Sequence, residues 1–147
     1  VIVLPDLSHW VTEIKDNAPL FETRAFKTVP DDDLQIDKQQ SPCAFVYLSA
    51  DKSGENGLLT EVRQPLSGMI TIEIIMRRTA TRSDQFNETD SDNLRLYRTE
   101  VISALLGKLL NGQSTAIEHV GGQLIKKDKK YLKWADTFTA DSYLSTL

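Results

Sequence analysis

One cysteine, two histidines and no membrane-length apolar run leave this chain without the parts of several large protein classes. Cys43 has no second thiol in the chain, so no intramolecular disulfide can form and nothing asks for an oxidising compartment. Behind Pro42, at the head of PCAFVYL, it reads as a small buried hydrophobe. His9 and His119 lack another His, Cys or carboxylate at recognised metal spacing and read as structural or solvated. Basic charge is also short. Seventeen Lys and Arg face 21 Asp and Glu, a net of -4, the wrong sign for a surface that gains affinity by releasing counterions from nucleic-acid phosphates.

No stretch approaches the roughly 18 unbroken apolar residues of a spanning helix. VIVLPDLSHW has no basic leader region, long apolar core or small-residue cleavage site, which predicts a soluble protein made in a cytoplasm. There is no P-loop, no dinucleotide G-x-G-x-x-G and no G-x-S-x-G elbow, and Ser8 beside His9 orients no hydroxyl toward an imidazole. DKSGENG fails as a calcium loop, because Asn56 stands where the obligatory glycine belongs and Val62 where the bidentate glutamate belongs.

What is present is enough apolar material for one core. At 147 residues and 40% hydrophobic, the chain predicts a single domain spanning 1–147. Leu7, Trp10, Val11, Ile14 and Ala18 fall at helical spacing behind the caps Asp6 and Ser8, with Pro19 closing the helix. Phe21 to Phe26 alternates as a first strand, PCAFVYLSA as a central strand, and DKSGENG as a turn. LLTEVRQPLSGMITIEIIMRR predicts a short strand, a kink at Pro65 and Gly68, and a long strand from Met69 to Arg78. In that strand Ile70, Ile72, Ile74 and Met76 share an apolar face, and Met69, Thr71, Glu73, Ile75 and Arg77 a mixed one. Leu94, Tyr97, Val101, Leu105 and Leu109 form a helix stripe that Asn111-Gly112 stops, and two final strands flank the basic turn Lys126 to Lys130. The order predicts an α+β fold: a single mostly antiparallel or mixed sheet with two helices packed on one face.

Two features stand out as candidate function. Two long polar connections, about Val29 to Ser41 and Thr79 to Ser91, are expected to be docking arms that order on assembly. In YLKWADTF, Leu132, Trp134, Asp136 and Phe138 share one strand face, so an acid interrupts an apolar surface where an unpaired carboxylate would be costly. Asp31, Asp32 and Asp33 read as a solvated loop, the alternative being a Mg²⁺ or Ca²⁺ site serving a small metal-dependent hydrolase. Arg77-Arg78 and the lysines around Lys127 read as solvated ends rather than anion sites. No active site assembles from these parts, and neither an enzyme nor a cofactor is expected.

The combination of the SPCAFVYL strand, VRQPLSGMITIEIIMRR, the DNLRLYRTEVISALLG helix and the ending Tyr131-x-x-Trp134-x-Asp136-x-Phe138 resembles the tail terminator, or tail completion, proteins of long-tailed bacteriophages. The resemblance implies a structural protein in the virion tail, assembled in the host cytoplasm. It implies a ring, a homo-hexamer, that caps the head-proximal end of the tail tube, halts tube polymerisation and presents a surface for head docking. The implied partners are the chain itself, the tube protein and a neck or connector protein, with DNA passing through the lumen unbound and no membrane involved. The expected subunit or tube contacts are Asp31, Asp32, Asp33, Arg77, Arg78, Arg82, Asp84, Arg98, Trp134 and Asp136. Another head-tail connector protein is the alternative. For Asp136 the readings are a strand end or bulge reaching water or a backbone N–H, or a pair with Arg98 of its own chain or with Arg77 or Arg78 of a neighbour.

Overall fold

The computed structural model describes residues 1–31, 34, 36, 40–79 and 88–146. Six strands, β1 (Ile2–Val3), β2 (Ala25–Phe26), β3 (Cys43–Ser53), β4 (Arg63–Arg77), β5 (Glu118–Lys127) and β6 (Tyr131–Ser145), form one sheet. Two α-helices, α1 (Leu7–Asn17) and α2 (Glu88–Leu105), pack on it, and a 3-10 turn spans Pro19–Phe21. β4 and β6 are the long central pair, in antiparallel register from Arg63 opposite Ser145 to Arg77 opposite Tyr131. β3 flanks β4, while β5 and β1 share the far side of β6. Only β2 runs parallel to its neighbour, β3, which makes the sheet mixed.

α1 forms as its caps dictate. The Asp6 carboxylate accepts from the Ser8 N–H at 3.0 Å, Trp10, Val11 and Ile14 turn inward, and the helix stops at Ala18 before Pro19. The strand expected over Phe21 to Phe26 shrinks to Ala25–Phe26, because Pro19 opens a 3-10 turn that draws the N–H groups of Phe21 and Glu22 back to Ala18 and Pro19. The opening of the DKSGENG stretch is strand too, since β3 runs through Asp51 to Ser53.

β4 is one strand of 15 residues, paired with β6 in unbroken register through Pro65 and Gly68, in place of a short strand and a long one. The Pro65 carbonyl accepts from the Gly54 N–H, so the face of Pro65 that lacks a donor points toward β3, whose ladder has already ended, and the pairing with β6 loses nothing. Gly68 serves packing: a Cβ there would fall 2.9 Å from Cγ of Pro5. The bulge lies in the partner strand, where register shifts between Leu48 and Ala50. α2 ends a turn earlier than its stripe predicted. Gly107 takes φ +78° and donates its N–H to Ile117, which turns the chain out of the helix and leaves Leu109 exposed, while Gly112 shapes a separate turn at φ +89°.

The main core lies between the helices and one sheet face. Ile70, Ile72 and Ile74 of β4 meet Ala44 and Val46 of β3, Phe138 of β6, Trp10 and Ile14 of α1, and Val101 and Leu105 of α2. The other face is covered by part of the chain's own first long connection. There Ile36, with Leu34 beside it, packs on Cys43, Phe45, Ile75 and Tyr131. Burial pushes the Cys43 thiol up to about 11. No helix among the described residues is long and apolar enough to cross a membrane.

Phe138 is fully buried with Trp10 edge-on at 6.3 Å. Phe138→Ala is expected to cost about 3–5 kcal/mol in urea unfolding, and a loss under about 1 kcal/mol would show that the core does not close on this ring.

Candidate functional site

Asp136 of β6 lies opposite Ile72 of β4 and Gly122 of β5, on the helix side of the sheet and without solvent exposure. Arg98, on α2, reaches it with a two-pronged contact, Nε to Oδ2 at 3.1 Å and Nη2 to Oδ1 at 2.9 Å. His119 of β5 adds Nε2 at 2.9 Å from Oδ1. The carboxylate therefore has both oxygens engaged, which is what a charge in a low-dielectric core requires. The Arg98 guanidinium also lies 4.5 Å from the centroid of the Trp134 ring, so one cation serves an anion and an aromatic face. Gly122 makes the approach possible. A Cβ there would sit 2.6 Å from Asp136 Oδ1 and 2.9 Å from Trp134 Nε1, with φ outside the left-handed region, so the requirement is space rather than backbone freedom. Of the partners considered for Asp136, the structure supplies Arg98 of the same chain.

A second ion pair, Arg78 Nε to Asp90 Oδ2 at 3.1 Å, has both side chains wholly buried. Asp90 Oδ1 accepts from the Thr79 N–H at 2.9 Å and hydroxyl at 3.1 Å, placing a carboxylate in the first turn of α2 where the helix dipole favours it. Arg78 Nη1 donates to the Asp128 carbonyl at 2.6 Å, and its N–H to the Lys130 carbonyl at 2.7 Å. Arg78 is thus neither a solvated strand end nor an anion-binding group. It clamps the end of β4, the start of α2 and the β5–β6 turn together.

Arg77 is half-buried, with its guanidinium 5.5 Å from the Tyr131 ring centroid and Nη1 donating to the Ile36 carbonyl at 3.2 Å. The Tyr131 hydroxyl donates to the same carbonyl at 3.0 Å, and Lys133 Nζ to the Asp31 carbonyl at 3.3 Å. These described parts of the first connection are docked on the chain's own sheet. Asp31 is exposed; Asp32, Asp33, Arg82 and Asp84, like most of the second connection, lie outside the described residues. Among the described residues no group of three His, Cys, Asp or Glu could hold a metal ion. Trp134 is half-buried beside Leu94, Met76 and Leu132, and Arg98 is half-buried over it.

Reasoning along the sequence missed His119 and Gly122. The register of β5 against β6 would have found them, since it sets His119 opposite Phe138 and Gly122 opposite Asp136.

The two ends of the sheet differ in charge. At one end, the lysines of the β5–β6 turn surround Asp128, whose carboxylate accepts from the N–H groups of Lys130 and Tyr131 at 2.8 and 2.7 Å. Burial acts to raise the Asp128 pKa, and those two donors with the Lys126 and Lys133 charges outweigh it, leaving the group below 3.8. At the other end, the β3–β4 loop carries Leu58, Leu59 and Val62 into solvent.

A family model described as phage tail terminator protein matches residues 4–146. Among solved structures, a chain from the virion of a native gene transfer agent particle is similar at TM-score 0.57 and 14% identity, covering 93% of each chain, a likeness of fold. Curated proteins give no match.

Asp136→Asn keeps the shape and removes the charge, and because Arg98 and His119 keep some solvent contact, a loss of about 1–3 kcal/mol is expected in equilibrium unfolding. Gly122→Ala is expected to cost a similar amount, about 1–3 kcal/mol, by forcing the same cluster apart. Unchanged stability in both variants would rule out a structural pair. A carboxyl held low in the folded state stabilises the fold above its unfolded pKa and loses that contribution as pH falls through the lower folded value. Melting temperature against pH should therefore show an acid limb beginning near pH 4, shallower in Asp128→Asn.

Proposed function

The chain belongs to the phage tail terminator family, and on that premise we propose that it is the subunit of a hexameric ring that closes the head-proximal end of the tail tube. The ring stops further tube subunits from adding and gives the DNA-filled head a surface to dock on. The observation that carries the reading is the family match, which runs over residues 4–146.

Such a role asks for shape. A cap stops growth by occupying the last tube surface while offering no copy of that surface on its far side, so it works by binding, without bond chemistry. The fold suits that demand. Its buried charges close on partners within the chain, and two ion pairs fix α2 against the sheet at separate points, which keeps the ring's faces in register. A ring closed by rotation uses two different patches on each subunit. Six copies at -4 each give the ring a net negative charge, and a channel that shares that sign would repel DNA phosphates and let the genome slide without specific binding. The partners are then other copies of the chain, the tube protein below and the connector above.

The test is to add the purified chain to polymerising tail tubes and to label it on finished particles. Elongation should stop at a fixed length of tube, label should sit at one end of the tube only, and native mass spectrometry should give a six-subunit species. Label found on heads that lack tubes, with elongation unaffected, would assign the chain to the connector instead.

A further inference from the structure

The sheet carries two unlike ends, one with an exposed apolar loop and one with a lysine-lined cleft. At about 3.3 Å per residue, the 15-residue strands β4 and β6 hold these ends roughly 45 Å apart. The β3–β4 loop, residues 54–62, contains Leu58 and a fully exposed Leu59, and its only charges are Glu55 and Glu61. This loop is fastened. Asn56 Oδ1 accepts from the N–H groups of Leu58 at 3.2 Å and Arg63 at 2.8 Å, while Nδ2 donates to the carbonyls of Leu58 and Glu61, both at 3.0 Å. Its base is tied to the end of β6, with the Thr146 N–H donating to the Val62 carbonyl at 2.9 Å and the Val62 N–H to the Thr146 hydroxyl at 3.0 Å. Four hydrogen bonds from one amide hold two leucines out in water, so the loop is already shaped for binding and has little freedom left to lose.

At the opposite end, a cleft of about 360 Å³ is lined by the apolar Leu34 and Tyr131 together with Lys126, Lys129 and Lys130. Lys127 is exposed beside it. Among the described lining residues Asp128 is the one acid against the four lysines Lys126, Lys129, Lys130 and Lys133, so the described lining is basic. An acid-flanked apolar knob at one end thus matches a lysine-lined cleft with an apolar lining at the other.

We propose that these are the two halves of the contact between copies of this chain: the Leu58–Leu59 loop of one subunit seats in the β5–β6 cleft of the next, with Glu55 and Glu61 facing the lysines. A knob and a cleft on different parts of one subunit make a head-to-tail contact, the kind that closes rings. The proposal rests on the ring reading above and specifies which surfaces make the ring.

Two measurements test it together. Native mass spectrometry over a concentration and salt series should place assembly of Lys127→Glu/Lys129→Glu/Lys130→Glu, and of Leu59→Asp, at least tenfold higher in concentration than that of the unaltered chain. Adding Glu55→Lys/Glu61→Lys to the lysine variant should restore assembly. Separately, a mixture of Leu59→Cys and Lys129→Cys chains should form a disulfide between copies under mild oxidation, in solution or on tube ends, while buried Cys43 stays unreacted. If the unaltered chain forms rings, all variants form them equally well and the cysteine pair does not cross-link, this contact is wrong and the ring reading survives. If the lysine variant instead loses salt-sensitive DNA binding and keeps normal assembly, the turn serves nucleic acid and the proposal falls. A chain that stays monomeric both in solution and on tubes overturns the ring and the contact alike.

Discussion

A carboxylate without access to water must be surrounded by donors, and the folded chain is arranged so that Asp136 is. Meeting that condition brings α2 across β6 to deliver Arg98, holds β5 close enough to deliver His119, and fixes a glycine at position 122 where any side chain would collide. The same guanidinium then lies over Trp134, which joins the polar contact to the small core of Met76, Leu94 and Leu132. Removing the charge would loosen the helix, the edge strand and the aromatic packing together, because each takes its position from the same few atoms.

Arg78 and Asp90 repeat the arrangement at another point on α2. Buried ion pairs are weak as a source of net stability, since hydrophobic residues of similar volume often do as well. Their geometric content is greater: an Arg–carboxylate contact is directional where apolar packing is not. With one pair at the first turn of α2, through Asp90, and another farther along it, through Arg98, the helix cannot slide or rotate on the sheet without breaking hydrogen bonds. A part whose surfaces must match neighbours on several sides gains from this more than from extra stability.

How far the sequence could be read depended on whether the deciding contact was local. α1 was legible from Asp6 to Ala18 because caps and periodicity act within a few residues. The two faces of β4 and the anomaly at Asp136 were legible because alternation is local too. The end of α2 was misplaced because Asn111-Gly112 is the stronger stop signal by composition, whereas Gly107 ends the helix through a hydrogen bond to Ile117. Pro65 suggested a kink because its missing donor faces a place where β3 has already ended, a fact that needs the register. His119 and Gly122 needed the pairing of β5 with β6, and the cover of the second sheet face needed Ile36 to return to Tyr131 across 95 residues. Arg78 looked like a surface residue because its partner is a helix start and its other acceptors are backbone carbonyls in a distant turn.

β6 comes last of the strands in the chain, yet it pairs with β4 along its whole length on one side and with β5 and β1 on the other. During synthesis, therefore, β4 cannot complete its pairing, and neither β5 nor β1 has a partner, until β6 leaves the ribosome. A chain that lacks β6 keeps the pairing of β4 with β3 but loses the other side of the β4 ladder, the Phe138 ring of the core and the Asp136 that gathers Arg98 and His119. Because β6 follows every strand it joins, folding itself inspects for this strand: a chain without it cannot close the sheet on either side.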